Sequence, residues 1–284
     1  MEIQRVGIVG SGIMGSGVAE VAARAGFEVV IRSRKQETAE DMVARMARSL
    51  DKQVEKGRLE AGDRDAIVGR VSPTSKLSEL AECDVVIESV VEDLGVKKHL
   101  FNELDSACKP DTILATNTST LPVVELAVET GRPDRVCGIH FFNPAPMMSL
   151  VEVVRPLTAS DDTIAAARAF AEACGKQPVE VKDRAGFIVN ALLFPYLNNA
   201  VRLLESGTAS GDDIDTAMKG GCNFPMGPLA LLDLVGLDTS LAILDALYDE
   251  FRDPNYAAVP LRRRRVAASQ LGRKTGKGFF DYSR

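Results

Sequence analysis

Residues 3–32 read IQRVGIVGSGIMGSGVAEVAARAGFEVVIR. Ile3 to Val9 is apolar enough for a buried strand, Met14 to Ala25 carries helix formers and stops at Gly26, and Glu28 to Arg32 returns to β-branched residues. Between the first two runs stands Gly10-Ser11-Gly12-Ile13-Met14-Gly15. A GxGxxG alone is weak evidence, because glycine is common in turns. A strand before it, a helix after it and a second strand beyond make it a phosphate loop. In such a loop Gly10 permits the tight turn, Gly12 lets a pyrophosphate approach the backbone, and Gly15 lets the helix pack on the strand. The helix start at Ile13 and Met14 offers free N–H groups and a partial positive charge to phosphates.

Outward from this loop the same alternation continues. A polar, helix-favouring segment runs from about Glu37 to Ala66. Strands are predicted at Val85–Glu88, Thr112–Ala115, Val136–Phe141, Leu150–Val154 and Pro178–Val181, with helices at Leu94–Cys108 and Asp161–Cys174. Strands alternating with helices imply a mainly parallel sheet covered on both faces. The character changes near Asp183. From there Ile188, Leu192, Leu193, Tyr196 and Leu197, then Leu229, Leu232, Leu234, Leu241, Leu244 and Leu247, recur at helical spacing with no strand pattern. The expected architecture is α/β: a Rossmann-type doubly wound dinucleotide-binding domain over residues 1–184, then an all-helical domain over 185–284.

Bulk properties narrow the function. The net charge of −6 argues against a nucleic-acid partner, which would need a basic surface. No stretch approaches the roughly 20 apolar residues of a membrane helix, and the N-terminus lacks the features of a signal peptide. Five cysteines are scattered without a CxxC pair, so free thiols in a reducing cytoplasm are expected. With only His99 and His140 in the chain, a His-rich metal site is not expected. Arg262 to Arg265 form a run of four arginines, expected on a solvated or dimer-facing helix surface.

The end of the second strand bears on the choice of dinucleotide. An Asp or Glu there would accept the ribose 2′-hydroxyl of NAD. This chain has Ser33-Arg34, with no carboxylate. A serine flanked by arginines can bind a 2′-phosphate by charge-assisted hydrogen bonds. The reading favours NADP(H). NAD(H), with Arg34 solvated, stays open.

Four further features lie beyond the loop. Asn117-Thr118-Ser119 follows a strand's carboxyl end, where open α/β sheets bind ligands. His140 lies in GIHFFNP at another strand end, and Glu152 sits in an apolar strand where a charge is costly unless paired. Asn190 opens the helical region. Each has a plain structural alternative: a hydrogen-bonded core histidine, a water-facing edge glutamate, a capping asparagine. Together they supply what an alcohol dehydrogenation needs. A histidine takes the hydroxyl proton, a carboxylate fixes its tautomer, and Ser and Asn hold substrate oxygens.

The sequence resembles the short 3-hydroxyacyl-CoA dehydrogenases, especially the bacterial 3-hydroxybutyryl-CoA dehydrogenases. The resemblance covers essentially the whole chain through GSGIMGSGVA, VIESVVEDLGVKKHLF, ATNTSTLPV, GIHFFNPAPMMSLVEVV, DRAGFIVNALLFPYLNNA, FPMGPLALLDLVGLD and GRKTGKGFFDY. It implies His140 as general base paired with Glu152, and Ser119 and Asn190 as partners of the substrate 3-oxygen. It implies cofactor contacts at Glu92, Lys97, Asn117, Asn143 and Lys274. It implies acyl-coenzyme A contacts at Ser49, Lys56 and Ser119, with Lys52 and Arg58 completing a small basic cluster around Lys56. A homodimer through the helical domain is implied too. Ser33 departs from the family pattern, which has an aspartate there. Three alternatives stand beside this reading, one of them a cofactor-sensing regulatory module, for which the sequence offers no interaction motif. A 6-phosphogluconate-like 3-hydroxyacid dehydrogenase shares the opening loop but uses a catalytic lysine. A non-catalytic lambda-crystallin-like protein shares the fold.

Overall fold

The computed structural model describes residues 3–283. The apolar runs read from sequence become strands that are largely buried, except Pro178–Val181, which lies in a mostly exposed strand at the sheet edge. The order is β1 (Arg5–Val9), α1 (Ile13–Arg24), β2 (Glu28–Arg32), α2 (Gln36–Glu55), α3 (Ala61–Gly69), β3 (Val71–Thr74), β4 (Val85–Glu88), α4 (Leu94–Ala107), β5 (Ile113–Thr116), α5 (Val123–Ala127), β6 (Val136–Phe141), β7 (Leu150–Arg155), α6 (Asp161–Ala173) and β8 (Gln177–Lys182). They form one eight-stranded sheet in the order β3-β2-β1-β4-β5-β6-β7-β8. All neighbours are parallel except β6 and β7, which are antiparallel. The chain winds outward from β1 through β2 to β3, then returns to β4 on the other side of β1. The strand order therefore reverses between β1 and β4, and a crevice opens at their carboxyl ends.

β1, β4, β5 and β6 are almost wholly buried, which is why they read as unbroken apolar runs rather than alternating ones. One core joins Ile8, Ile31, Ile87 and Ile139 to Val18, Met42 and Phe170 from the covering helices. Helix ends are set locally. Asp93 caps α4 through the Val96 N–H at 2.8 Å, and Ser160 caps α6 through the Thr163 N–H, contacts worth about 1 kcal/mol each.

Several elements differ from the sequence reading. The segment Glu37–Ala66, read as one helical stretch, is two helices. Gly57, with φ +64°, turns the chain out of α2. β3 has no counterpart in the sequence pattern: Val-Ser-Pro-Thr carries a proline and little apolar character, and it lies at the sheet edge, where a missing N–H is tolerated. The single-turn α5 after Pro122 was also missed.

The chain divides after Asp183. The second unit holds α7 (Val189–Glu205), α8 (Gly211–Cys222), α9 (Pro228–Val235), α10 (Leu237–Phe251) and α11 (Pro260–Ala267). Leu197, Val201, Leu229, Leu232, Leu237, Leu244 and Leu247 form its core. Of the periodic residues read from sequence, Leu197, Leu229, Leu232, Leu244 and Leu247 lie in this core, whereas Ile188, Leu192 and Leu234 are exposed. The buried Asp215 carboxylate accepts the Leu229 and Ala230 N–H groups at 2.8 and 2.9 Å, capping α9 from a neighbouring helix. The arginine run corrects the sequence expectation. Arg263 pairs with Asp245 on the surface, but Arg262 is fully buried and none of its side-chain nitrogens has a partner. At about 3.6 residues per turn, four consecutive positions sample the whole helix circumference, so one must face inward. Burial pulls the Arg262 guanidinium down to about 10.

Candidate active site

The site is built at the carboxyl edge of the parallel strands. Gly10 has φ +135°, and a Cβ there would lie 2.2 Å from the Ser89 carbonyl at the end of β4. Only glycine fits this turn. At Gly12 a Cβ would meet nothing within 4 Å, so the outer side of the loop is open to an approaching group. α1 starts at Ile13 with no side-chain cap on its first N–H groups, with Met14 and Gly15 in that first turn. A cleft of about 780 Å³ follows, lined by Gly10 and Gly12, by Arg32, Ser33 and Arg34 from the end of β2, by Ser89 to Val91, and by Val96, His99, Leu100 and Glu103. An open glycine surface, an uncapped helix start and a long cleft fit a dinucleotide, its pyrophosphate on the loop and its adenosine end towards β2. Ser33 is buried, with its N–H bonded to the Thr74 carbonyl at 3.0 Å, and Arg34 is exposed.

His140 and Glu152 face each other across the antiparallel pair β6–β7. Both are nearly inaccessible, at 4% and 1% exposure, and Nδ1 of His140 lies 2.8 Å from Oε2 of Glu152. A carboxylate on Nδ1 places the ring proton there and leaves Nε2 as an acceptor. Nε2 faces the Ser119 hydroxyl at 3.3 Å. The Phe142 ring packs on the imidazole with centroids 4.5 Å apart. The result is a histidine oriented on one side by an acid and turned on the other towards a half-buried hydroxyl. This arrangement can take a proton from an alcohol and return it to a carbonyl.

Beside it lies a charged cluster. Glu88, at the end of β4, and Lys97, in α4, are 0% and 1% exposed. Lys97 Nζ donates to both Glu88 oxygens at 2.8 and 2.9 Å and lies 3.1 Å from Glu92 Oε2. Glu92 Oε1 in turn accepts the Thr118 hydroxyl and the Ser119 N–H, the latter at 2.9 Å. Asn117 Oδ1 accepts the Phe141 N–H at 2.8 Å and its Nδ2 lies 3.4 Å from Ser89 Oγ, so it ties the ends of β4, β5 and β6 together.

Within the first unit the structure thus brings together Ser119, His140, Glu152, Asn117, Glu92 and Lys97. Asn143 is exposed in the loop after β6, and Lys176 holds that loop by donating to the Ala145 and Met148 carbonyls at 2.8 Å. Ser49 and Lys56 are exposed on α2 and at its end, with Arg45, Arg48 and Lys52 also exposed. Asn190 and Lys274 belong to the second unit. Asn190 is buried in the first turn of α7, and Lys274 pairs with Asp238 at 2.6 Å. Among the described residues no group of three or more His, Cys, Asp or Glu side chains could hold a metal ion. The sequence reading does not single out Glu88 or Thr116. Glu88 carried a usable signal, since it is a charge closing the apolar run Val85–Glu88, the same argument that singled out Glu152.

Comparison with known proteins agrees with this geometry. Residues 5–184 match the family described as 3-hydroxyacyl-CoA dehydrogenase, NAD binding domain, and residues 186–282 match 3-hydroxyacyl-CoA dehydrogenase, C-terminal domain. A 3-hydroxybutyryl-CoA dehydrogenase of Mycobacterium tuberculosis is 47% identical over 286 residues, covering 99% of each chain. One from Clostridioides difficile is 46% identical over 280 residues, covering 99% of this chain and 100% of that one. The crystal structure of the (S)-3-hydroxybutyryl-CoA dehydrogenase from Ralstonia eutropha superposes with a TM-score of 0.97 at 43% identity, covering both chains fully. The phosphate loop, the opposed His140–Glu152 pair and these full-length matches lead to one conclusion: the chain belongs to the 3-hydroxyacyl-CoA dehydrogenase family, with an NAD-binding domain over its first unit.

Proposed function

We propose that this chain interconverts (S)-3-hydroxyacyl-CoA and 3-oxoacyl-CoA, with 3-hydroxybutyryl-CoA as the probe substrate of choice, in fatty acid or butanoate metabolism. The observation that carries the reading is the His140–Glu152–Ser119 arrangement at the same sheet edge as the phosphate loop. In oxidation His140 Nε2 takes the hydroxyl proton, and Glu152 stabilises the imidazolium that forms. In reduction the proton returns. The bound nicotinamide supplies the hydride chemistry. Ser119 holds the substrate 3-oxygen. The roles given to Asn190 at that oxygen and to Lys274 at the cofactor rest on the family resemblance. So do those of Glu92, Lys97, Asn117 and Asn143 as cofactor-side residues. The 6-phosphogluconate-like and lambda-crystallin-like alternatives are not favoured.

For the cofactor we propose a preference for NADP(H), supported by Ser33 and Arg34 in the cleft wall and by the absence of a carboxylate at the end of β2. For coenzyme A, the exposed stripe Arg45, Arg48, Ser49, Lys52 and Lys56 offers cations to its phosphates in an acidic protein. The second unit, residues 185–284 in this reading, serves substrate binding and homodimerisation. Support comes from the uncovered apolar stripe of α7, where Leu192 is 71% and Leu203 47% exposed. The five free cysteines suit a reducing, cytoplasmic setting.

The experiment is acetoacetyl-CoA reduction with NADPH and NADH side by side, followed by nicotinamide absorbance. Turnover with either cofactor supports the enzyme class, and higher kcat/KM with NADPH supports the cofactor reading. A folded protein that binds cofactor and reduces neither this substrate nor longer acyl chains would overturn the proposal.

A further inference from the structure

Two separate routes lead from Glu88 to the backbone that carries the Ser119 hydroxyl. The first is ionic: Glu88 holds Lys97 at 2.8 and 2.9 Å, Lys97 reaches Glu92 at 3.1 Å, and Glu92 accepts the Ser119 N–H at 2.9 Å. The second runs through neutral groups. The Thr116 hydroxyl donates to Glu88 Oε2 at 2.7 Å and accepts the Thr118 N–H at 3.3 Å. The remaining capacity of Glu88 is taken by the N–H of Val90, which lines the cleft beside the phosphate loop.

Burying this pair is costly, since each ion loses its hydration. The expense is not explained by packing, because two apolar side chains of similar volume would fill the same space. What the ions add is direction. A carboxylate with every lone pair engaged has one orientation, and so does an ammonium held by two carboxylates. Glu92 by itself is 40% exposed along its side chain and would sample several rotamers without Lys97.

We infer that Glu88 is a positioning residue for the dehydrogenation: through Lys97–Glu92 and through Thr116 it fixes the Thr118–Ser119 backbone, and with it the distance from the Ser119 hydroxyl to His140. This rests on the reading of Ser119 as the partner of the substrate oxygen. Removing the anchor lets Ser119 drift while His140, held independently by Glu152, stays in place.

The test is a double-mutant cycle on kcat for acetoacetyl-CoA reduction with Glu88→Gln and Ser119→Ala, alone and combined, with Kd for the cofactor measured on each variant. Glu88→Gln is expected to lower kcat by roughly 10- to 100-fold, the scale of a small misplacement of a reacting group. In the Ser119→Ala background it should lower kcat hardly at all, because its effect runs through the missing hydroxyl. A loss that adds fully to that of Ser119→Ala, or no loss in the single variant, would overturn the inference. A Ser119→Ala enzyme with unchanged kcat would overturn the underlying reading of Ser119 as well, so the two failures are told apart by the single variants. If Glu88→Gln does not fold, Thr116→Val takes its place in the cycle. It keeps the ion pair and cuts the neutral route, and the same non-additivity with Ser119→Ala is expected. Additive loss there overturns the inference equally.

Discussion

His140 and Glu152 are register partners on antiparallel strands, and their side chains meet at 2.8 Å in a region that solvent hardly reaches. Replacing His140 by alanine should therefore remove the proposed proton acceptor without disturbing the phosphate loop. A fall in kcat of roughly 100-fold or more is expected, with the cofactor Kd, read by fluorescence titration, nearly unchanged. Glu152→Gln should also lower kcat, because an amide can donate to Nδ1 and so favours the wrong tautomer. Turnover of His140→Ala within about tenfold of the parent would exclude His140 as the base.

Ser33 and Arg34 line the cleft at the end of β2. Ser33→Asp combined with Arg34→Ile restores an acceptor for a ribose hydroxyl and removes a phosphate partner. The ratio of kcat/KM for NADPH over NADH should fall by about tenfold or more, the worth of a charge-assisted hydrogen bond. An unchanged ratio would mean that these positions do not read the ribose.

Asp84 precedes β4 and binds the chain start to the sheet. It accepts the Gln4 and Arg5 N–H groups at 2.8 and 2.9 Å and the Lys109 ammonium at 2.8 Å. Burial pushes its carboxyl up, but Lys109 and the two N–H groups together outweigh this and hold it below the ordinary aspartate value. A depressed carboxylate contributes stability that is fully present above its unfolded value, about 4, and is lost as pH falls through the folded value. Asp84→Asn should therefore lower Tm at neutral pH, and the gap to the parent should close as the pH falls below about 4. A gap independent of pH would show that the charge is not what matters.

Burial pushes the Cys83, Cys137 and Cys174 thiols up to about 12 and Cys108 up to about 11, while Cys222 is exposed. Only Cys222 should react rapidly with a thiol reagent in the native protein at neutral pH, and all five cysteines should react after denaturation. Fast modification of a second thiol in the native state would contradict the burial described.

Arg262 is a buried cation without a partner. Arg262→Met keeps much of the packing and discards the charge, so it should raise stability by about 1–4 kcal/mol in denaturant titration. A loss of stability would show that the guanidinium has an acceptor in solution.

The sequence made legible whatever rests on uninterrupted burial or on a motif with fixed spacing. β2, β4 and β6 were read to the residue, because a parallel strand covered on both faces is a plain apolar run bounded by turns. β3 and α5 were not legible, since an edge strand with a proline and a helix of one turn carry no periodic pattern. At the site, Glu152 could be picked out because a charge inside an apolar strand demands a partner. That its partner is His140 depends on the antiparallel register of β6 and β7, which no local pattern states. The four-member cluster around Glu88 was invisible for the same reason. Its members come from β4, the turn before α4, α4 itself and the end of β5, and only the strand order gathers them.

The reversal of β7 has a consequence for how such a protein can change. Histidine and glutamate are rungs of one ladder, fixed by backbone hydrogen bonds and core packing on both sides. The residues proposed to meet the cofactor, Asn143 and Arg34, sit instead on exposed connections. In the proposed mechanism, acid–base chemistry and ligand preference are thus carried by mechanically separate parts. Exchanging a connection can retune what is bound while the proton-transfer pair keeps its alignment, whereas a one-residue slip of β7 would put Glu152 on the opposite face and silence every substrate at once.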